Sequence, residues 1–88
     1  MKTLKQLKNY RAFTIRYMPA TNTKSSRISI LDNRKNERRV IPYNYEFNSI
    51  YAIAQDFLES LGIDILGVSE VHNGYVLLTE DFKTSIKK

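Results

Sequence analysis

Apolar and polar residues alternate in steps of two in several stretches of this chain and switch to steps of three and four only once. The switch falls at residues 48–61, where Ile50, Ile53, Ala54, Phe57 and Leu61 recur at the spacing that gathers side chains on one face of a helix. Gln55, Asp56, Glu59 and Ser60 take the wet side. Asn48 or Ser49 stands where a cap is needed, Phe47 where a staple would pack on the first turn, and Gly62 where a left-handed residue ends the last turn. A helix of about four turns cannot bury its own stripe, so the flanking segments must supply a sheet beneath it.

Period two runs through residues 11–18, with Phe13, Ile15 and Tyr17 facing one way and Ala12, Thr14 and Arg16 the other, until Pro19 ends the strand. Residues 19–26 are a loop of small hydroxyl and amide side chains, the kind that bond their own backbone in turns. A second strand covers 27–32, with Ile28 and Ile30 opposite Arg27 and Ser29, and a charged turn leads to a third strand at 38–43. Pro42 cannot donate to a ladder, which places that strand at a sheet edge. After the helix, strands at 63–71 and 75–79 flank Asn73-Gly74, a type I′ hairpin signal that sets His72 against Tyr75, Val71 against Val76 and Glu70 against Leu77. The expected fold is α+β: a five-stranded, mainly antiparallel sheet in the order βββαββ, with one helix packed on one face. Residues 10–80 form the single small domain, 1–9 a flexible basic lead and 81–88 a polar tail.

Composition narrows the function classes. At 88 residues the core is thin and the stability modest. There is no cysteine, hence no disulfide framework or thiolate metal site, and a reducing cytoplasm is the expected compartment. No apolar run approaches the roughly 20 residues that span a bilayer, so no membrane partner is expected. The net charge of +5 is unevenly distributed. Residues 1–40 carry eleven Lys or Arg against Asp32 and Glu37, whereas residues 41–88 carry Lys83, Lys87 and Lys88 against seven acids. That asymmetry predicts one basic surface set apart from the carboxylates, or else basic strands neutralised by acidic neighbours.

Catalytic readings find little support. His72, the sole histidine, falls at a predicted turn, with only Glu70 near it as a further ligand or base. Asp56/Glu59 and Glu80/Asp81 read as a solvent-facing helix surface and a strand end, and Gly62, Gly67 and Gly74 make no phosphate-binding loop. No enzyme, cofactor or metal is expected. The better candidate is a basic strand-and-loop face: Arg16, Lys24, Arg27, Arg34, Lys35, Arg38 and Arg39 for phosphates, with Thr21, Asn22, Thr23 and Ser26 adding directional hydrogen bonds. Tyr43 and Tyr45, with Tyr17, can stack on unpaired bases, although a place at the rim of the core is slightly the better expectation for Tyr17 and Tyr43. The expected partner is DNA, single strands slightly favoured, and/or a replication enzyme such as a polymerase, primase or helicase. The alternatives are a protein-directed inhibitor or adaptor of the anti-defence type, which binds an enzyme without binding DNA, and a homodimer paired through the first or third strand.

Four short runs carry a resemblance: Pro19-Ala20-Thr21-Asn22-Thr23, Ser26-Arg27-Ile28, Ile41-Pro42-Tyr43 and Gly74-Tyr75. In combination they make the chain resemble a group of short bacterial proteins carried by phages, plasmids and other mobile elements, over most of residues 11–79. The resemblance implies a mobile-element origin and a link to replication, transfer or evasion of host defence. It carries over no catalytic residue.

Overall fold

The computed structural model describes residues 9–86. Its elements are β1 (Arg11–Met18), β2 (Arg27–Asp32), β3 (Glu37–Pro42), α1 (Ile50–Ser60), β4 (Ile65–Val71) and β5 (Gly74–Thr79). The strands form one antiparallel sheet in the spatial order β3-β2-β1-β5-β4, and α1 packs on one face, an α+β fold. The first strand is therefore central rather than an edge, while β3, with its proline, does lie at an edge as its chemistry requires.

Registers divide the side chains into two layers. Phe13 and Ile15 of β1, Ile28 and Ile30 of β2, Ile41 of β3 and Leu77 of β5 meet Ile53, Ala54 and Leu58 of α1, and Ile63 and Ile86 close the same core. The helix backbone lies over β1, β2, β4 and β5, and β3 meets it through side chains alone. Its buried stripe uses Leu58 in place of the expected Leu61, which is exposed. The helix stops at Ser60, so Leu61 already belongs to the turn. There Gly62, at φ 91°, donates to the Glu59 carbonyl and Ile63 to that of Leu58, a Schellman ending with both apolar partners buried. Ser49 occupies the cap position with extended backbone, without a side-chain capping bond.

Two expectations need correction. In the β4–β5 hairpin Val71 pairs with Gly74, Glu70 with Tyr75 and Ser69 with Val76, so the loop residues are His72 and Asn73. This slips the pairing by two residues and leaves every side chain on its expected face. Only Asn73 is left-handed, at φ 68°, which is not the double left-handed signature of a type I′ turn. Gly74 matters for a different reason. A Cβ there would lie 2.2 Å from the Ile15 carbonyl oxygen, so its bare backbone lets β5 approach β1. The second correction concerns the polar tail, which is packed as far as Ile86. Asp81 accepts hydrogen bonds from the Lys83 and Thr84 amides and the Thr84 hydroxyl, Ser85 donates to Glu37, and Ile86 is buried. The basic lead lies outside the described residues but for Asn9.

Candidate nucleic-acid interface

A strand alternates its faces residue by residue, so the registers decide which cations stand together. On the face away from α1, Met18 aligns with Arg27 and Pro42, Arg16 with Ser29 and Val40, and Thr14 with Leu31 and Arg38. Arg16, Arg27 and Arg38 thus share one sheet surface that no other element among the described residues covers. The three carboxylates that strands carry, Asp32, Glu37 and Glu70, pair with Phe13, Asp32 and Tyr75 and so belong to the helix side. Among the described residues no strand places a carboxylate beside the three arginines. The floor between them is Ala12, Leu31, Val40, Val76 and Leu78, with Thr14 bonded to Asn33. The strand aromatics, Phe13, Tyr17 and Tyr75, all face the other way, so this surface offers cations and aliphatic contact but no ring.

The remaining predicted residues do not all converge here. Arg39 neighbours Arg38 in the chain and therefore points to the helix side, where its guanidinium lies 5.2 Å from the centre of the Phe57 ring. Arg34 and Lys35 sit in the β2–β3 turn at the far end of the sheet, roughly 20 Å along the strand from Arg27. Arg34 lies over the Phe82 ring at 4.8 Å, and the Lys35 ammonium donates to the Lys83 carbonyl. The loop holding Thr21, Asn22, Thr23, Lys24 and Ser26 adjoins Arg27, whose Nε donates to the Ser25 carbonyl. The Thr21 hydroxyl accepts from the amides of Thr23 and Lys24, and that of Ser26 is bonded to the Tyr17 hydroxyl at 2.9 Å. Asn22, Thr23 and Lys24 are exposed.

Arg11 is the basic residue whose role sequence reasoning missed. Its side chain is fully buried, donating to Asp32 at 2.5 Å and to the Asp81 carbonyl at 3.0 Å, with Nε left unpaired. Burial alone would raise the Asp32 carboxyl. The Arg11 hydrogen bond, the amides of Lys35 and Arg34 and the guanidinium charge overcome that and hold it below the ordinary carboxylate range. Its position at an inward step of the β1 alternation, in line with Phe13 and Ile15, was the available signal.

Around the edge of β3, the rings form a cluster. Tyr43 meets Tyr17 edge-on at 5.7 Å and Tyr45 at 4.7 Å, and Tyr45 is 83% exposed. Tyr43 and Tyr45 border a cleft of about 630 Å³ between β3 and α1, whose lining includes Ile41, Phe57, Arg39 and Asp56. The cleft exists because one helix cannot cover five strands. Alternation alone would have separated Arg39 from Arg38, but only the strand order sets β3 outside the span of the helix backbone. His72 is exposed in its turn, and among the described residues no group of three His, Cys, Asp or Glu is arranged to hold a metal. No helix among them is long and apolar enough to cross a membrane. No family model, curated protein or solved structure matches the chain.

Proposed function

We propose that the protein is a non-enzymatic DNA-binding module, an accessory to replication of a mobile element, and that it binds single-stranded DNA across the uncovered sheet face. The observation that carries this reading is the grouping of Arg16, Arg27 and Arg38 on a surface to which no strand contributes a carboxylate. Each guanidinium can hold a phosphate, and the aliphatic floor accepts sugar and base edges without selecting a sequence. Lys24, Asn22 and Thr23 extend the phosphate track at the loop end. There the strand can turn past β3 so that a base meets the exposed face of Tyr45. Arg34, Lys35 and Arg39 fall outside this track.

Fluorescence anisotropy with single-stranded oligonucleotides at several salt concentrations tests the proposal. Binding should weaken linearly on a log–log plot, with a slope of roughly −0.7 per phosphate neutralised. No binding at low salt, or a slope unchanged in the Arg16/Arg27/Arg38→Ala triple variant, removes DNA from the reading. The second reading, an adaptor for an acidic protein surface, is favoured by the apolar character of Leu31, Val40, Val76 and Leu78 between the arginines. It predicts stoichiometric complexes with a protein, mild salt sensitivity and no affinity for free oligonucleotides.

A further inference from the structure

The two edges of the sheet are protected to very different degrees. Strand β3 ends in Pro42 and presents Arg38 and Arg39, charges of the kind that discourage another strand from pairing. Strand β4 presents Leu66, Val68 and Val71 at 50%, 49% and 38% exposure, and its single charged residue is Glu70. Its one protective irregularity, a bulge between Ile65 and Gly67, leaves Val68 to Val71 in regular pairing with β5. Among the described residues no strand lies beside the outward backbone groups of that stretch.

We propose that β4 is a homodimer interface, in which two copies of the chain pair their β4 strands antiparallel about a two-fold axis through Val68 or Ser69. Charge favours a second copy at this edge. The arginines of the open face lie on β1, β2 and β3, so β4 is the edge where two positively charged chains approach with least repulsion. An axis at either residue also keeps Glu70 from facing its own equivalent. Because the axis is perpendicular to the sheet, side chains keep their layer across the junction, and both open faces come to lie on one side of a ten-stranded sheet. Five strand spacings then separate the two β1 strands, roughly 24 Å. The dimer stands on the β4 edge alone; its consequence for DNA, two arginine clusters on one continuous surface, rests on the function proposed above.

Sedimentation equilibrium on the full chain should give twice the 10.3 kDa chain mass. Val68→Lys should return it to the single mass, while Val40→Lys, on the other edge strand, leaves the dimer intact. Circular dichroism checks that both variants fold. Val68→Cys and Ser69→Cys provide a separate measurement in a chain with no cysteine: the residue on the two-fold opposes its own equivalent within disulfide reach, so mild oxidation of one of the two variants should give a covalent dimer and show where the axis lies. A single mass at every concentration, together with failure of both cysteine variants to crosslink, overturns the proposal. So does a dimer broken by Val40→Lys and untouched by Val68→Lys. If DNA binds, an oligonucleotide long enough to reach both clusters should bind the dimer on the order of 10²-fold more tightly than a short one, and Val68→Lys should abolish that gain. A dimer that binds no oligonucleotide would remove the DNA reading and leave this interface standing.

Discussion

The two faces of this sheet use the same residue for opposite purposes. On the helix side, Arg11 is sealed against Asp32 and Arg39 rests on Phe57, so neither stands on the open face. On the open side Arg16, Arg27 and Arg38 stand over aliphatic side chains with no strand carboxylate among them. Arg38 and Arg39 are one residue apart and Arg11 and Arg16 five, yet each pair is divided between the faces because both separations are odd. Net charge therefore says little about what a basic segment can bind. The parity of each position within its strand decides which charges are left for a partner.

Removing one member of the buried pair should have the largest effect. Arg11→Ala or Asp32→Ala leaves an uncompensated buried charge, expected to cost about 3–5 kcal/mol in urea unfolding. In a domain whose total stability is of order 5–15 kcal/mol, that is enough to leave much of the population unfolded. The double variant Arg11→Met with Asp32→Leu should be clearly more stable than either single alanine variant. If both singles unfold like the parent chain, the pair is not holding the end of β1 to β2. The next effect in size is Gly74→Ala, where the added carbon meets the Ile15 carbonyl; a cost of about 1–3 kcal/mol is expected, with hydrogen exchange faster across the β1–β5 ladder.

On the open face the readout is binding rather than stability. Single changes of Arg16, Arg27 or Arg38 to Ala should each flatten the salt dependence of oligonucleotide binding by roughly 0.7 and leave urea midpoints close to the parent's. Arg39→Ala should leave the slope alone. Equal slopes for Arg38→Ala and Arg39→Ala would erase the distinction between the faces.

The smallest effect is expected at acid pH. Hydrogen bonds from the Thr84 amide and hydroxyl and from the Lys83 amide hold the Asp81 carboxyl down to about 2. A carboxyl lowered by folding stabilises the fold above its unfolded pKa, about 3.9, and that contribution is lost as pH falls through the folded value. Urea midpoints should therefore drop between about pH 4 and pH 2, with Asp32 contributing in the same direction, and Asp81→Asn should remove part of the drop. A midpoint insensitive to pH in that window would show that the turn at residues 81–84 adds nothing to stability.

Elements with a strong local period were readable from the residues alone. The period-two runs of β1 and β2, the helical stripe, the ending at Gly62 and the edge position implied by Pro42 all follow from steric and hydrogen-bonding rules that act within a few residues. So did the division of Ala12, Thr14 and Arg16 from Phe13, Ile15 and Tyr17, which already places Arg16 on the outer layer. The candidate site was less legible as a group of residues. Arg34 and Lys35 look contiguous with Arg27 in the chain but lie at the other end of β2. Arg39 looks equivalent to Arg38 until β3 is paired. The C-terminal residues read as polar because Ile86 is one apolar side chain in a hydrophilic run, and no periodicity marks a single anchor.

Local chemistry was sufficient to specify the number, kind and sequence of the elements and the inward or outward sense of most strand residues, since those depend on backbone geometry and nearest neighbours. Tertiary packing decided the rest: β1 at the centre, β4 exposed at one edge, β3 outside the span of the helix backbone, and Arg11 buried against Asp32. Such outcomes depend on which distant strands pair, a choice made by the total apolar surface buried and the polar groups satisfied across the whole sheet.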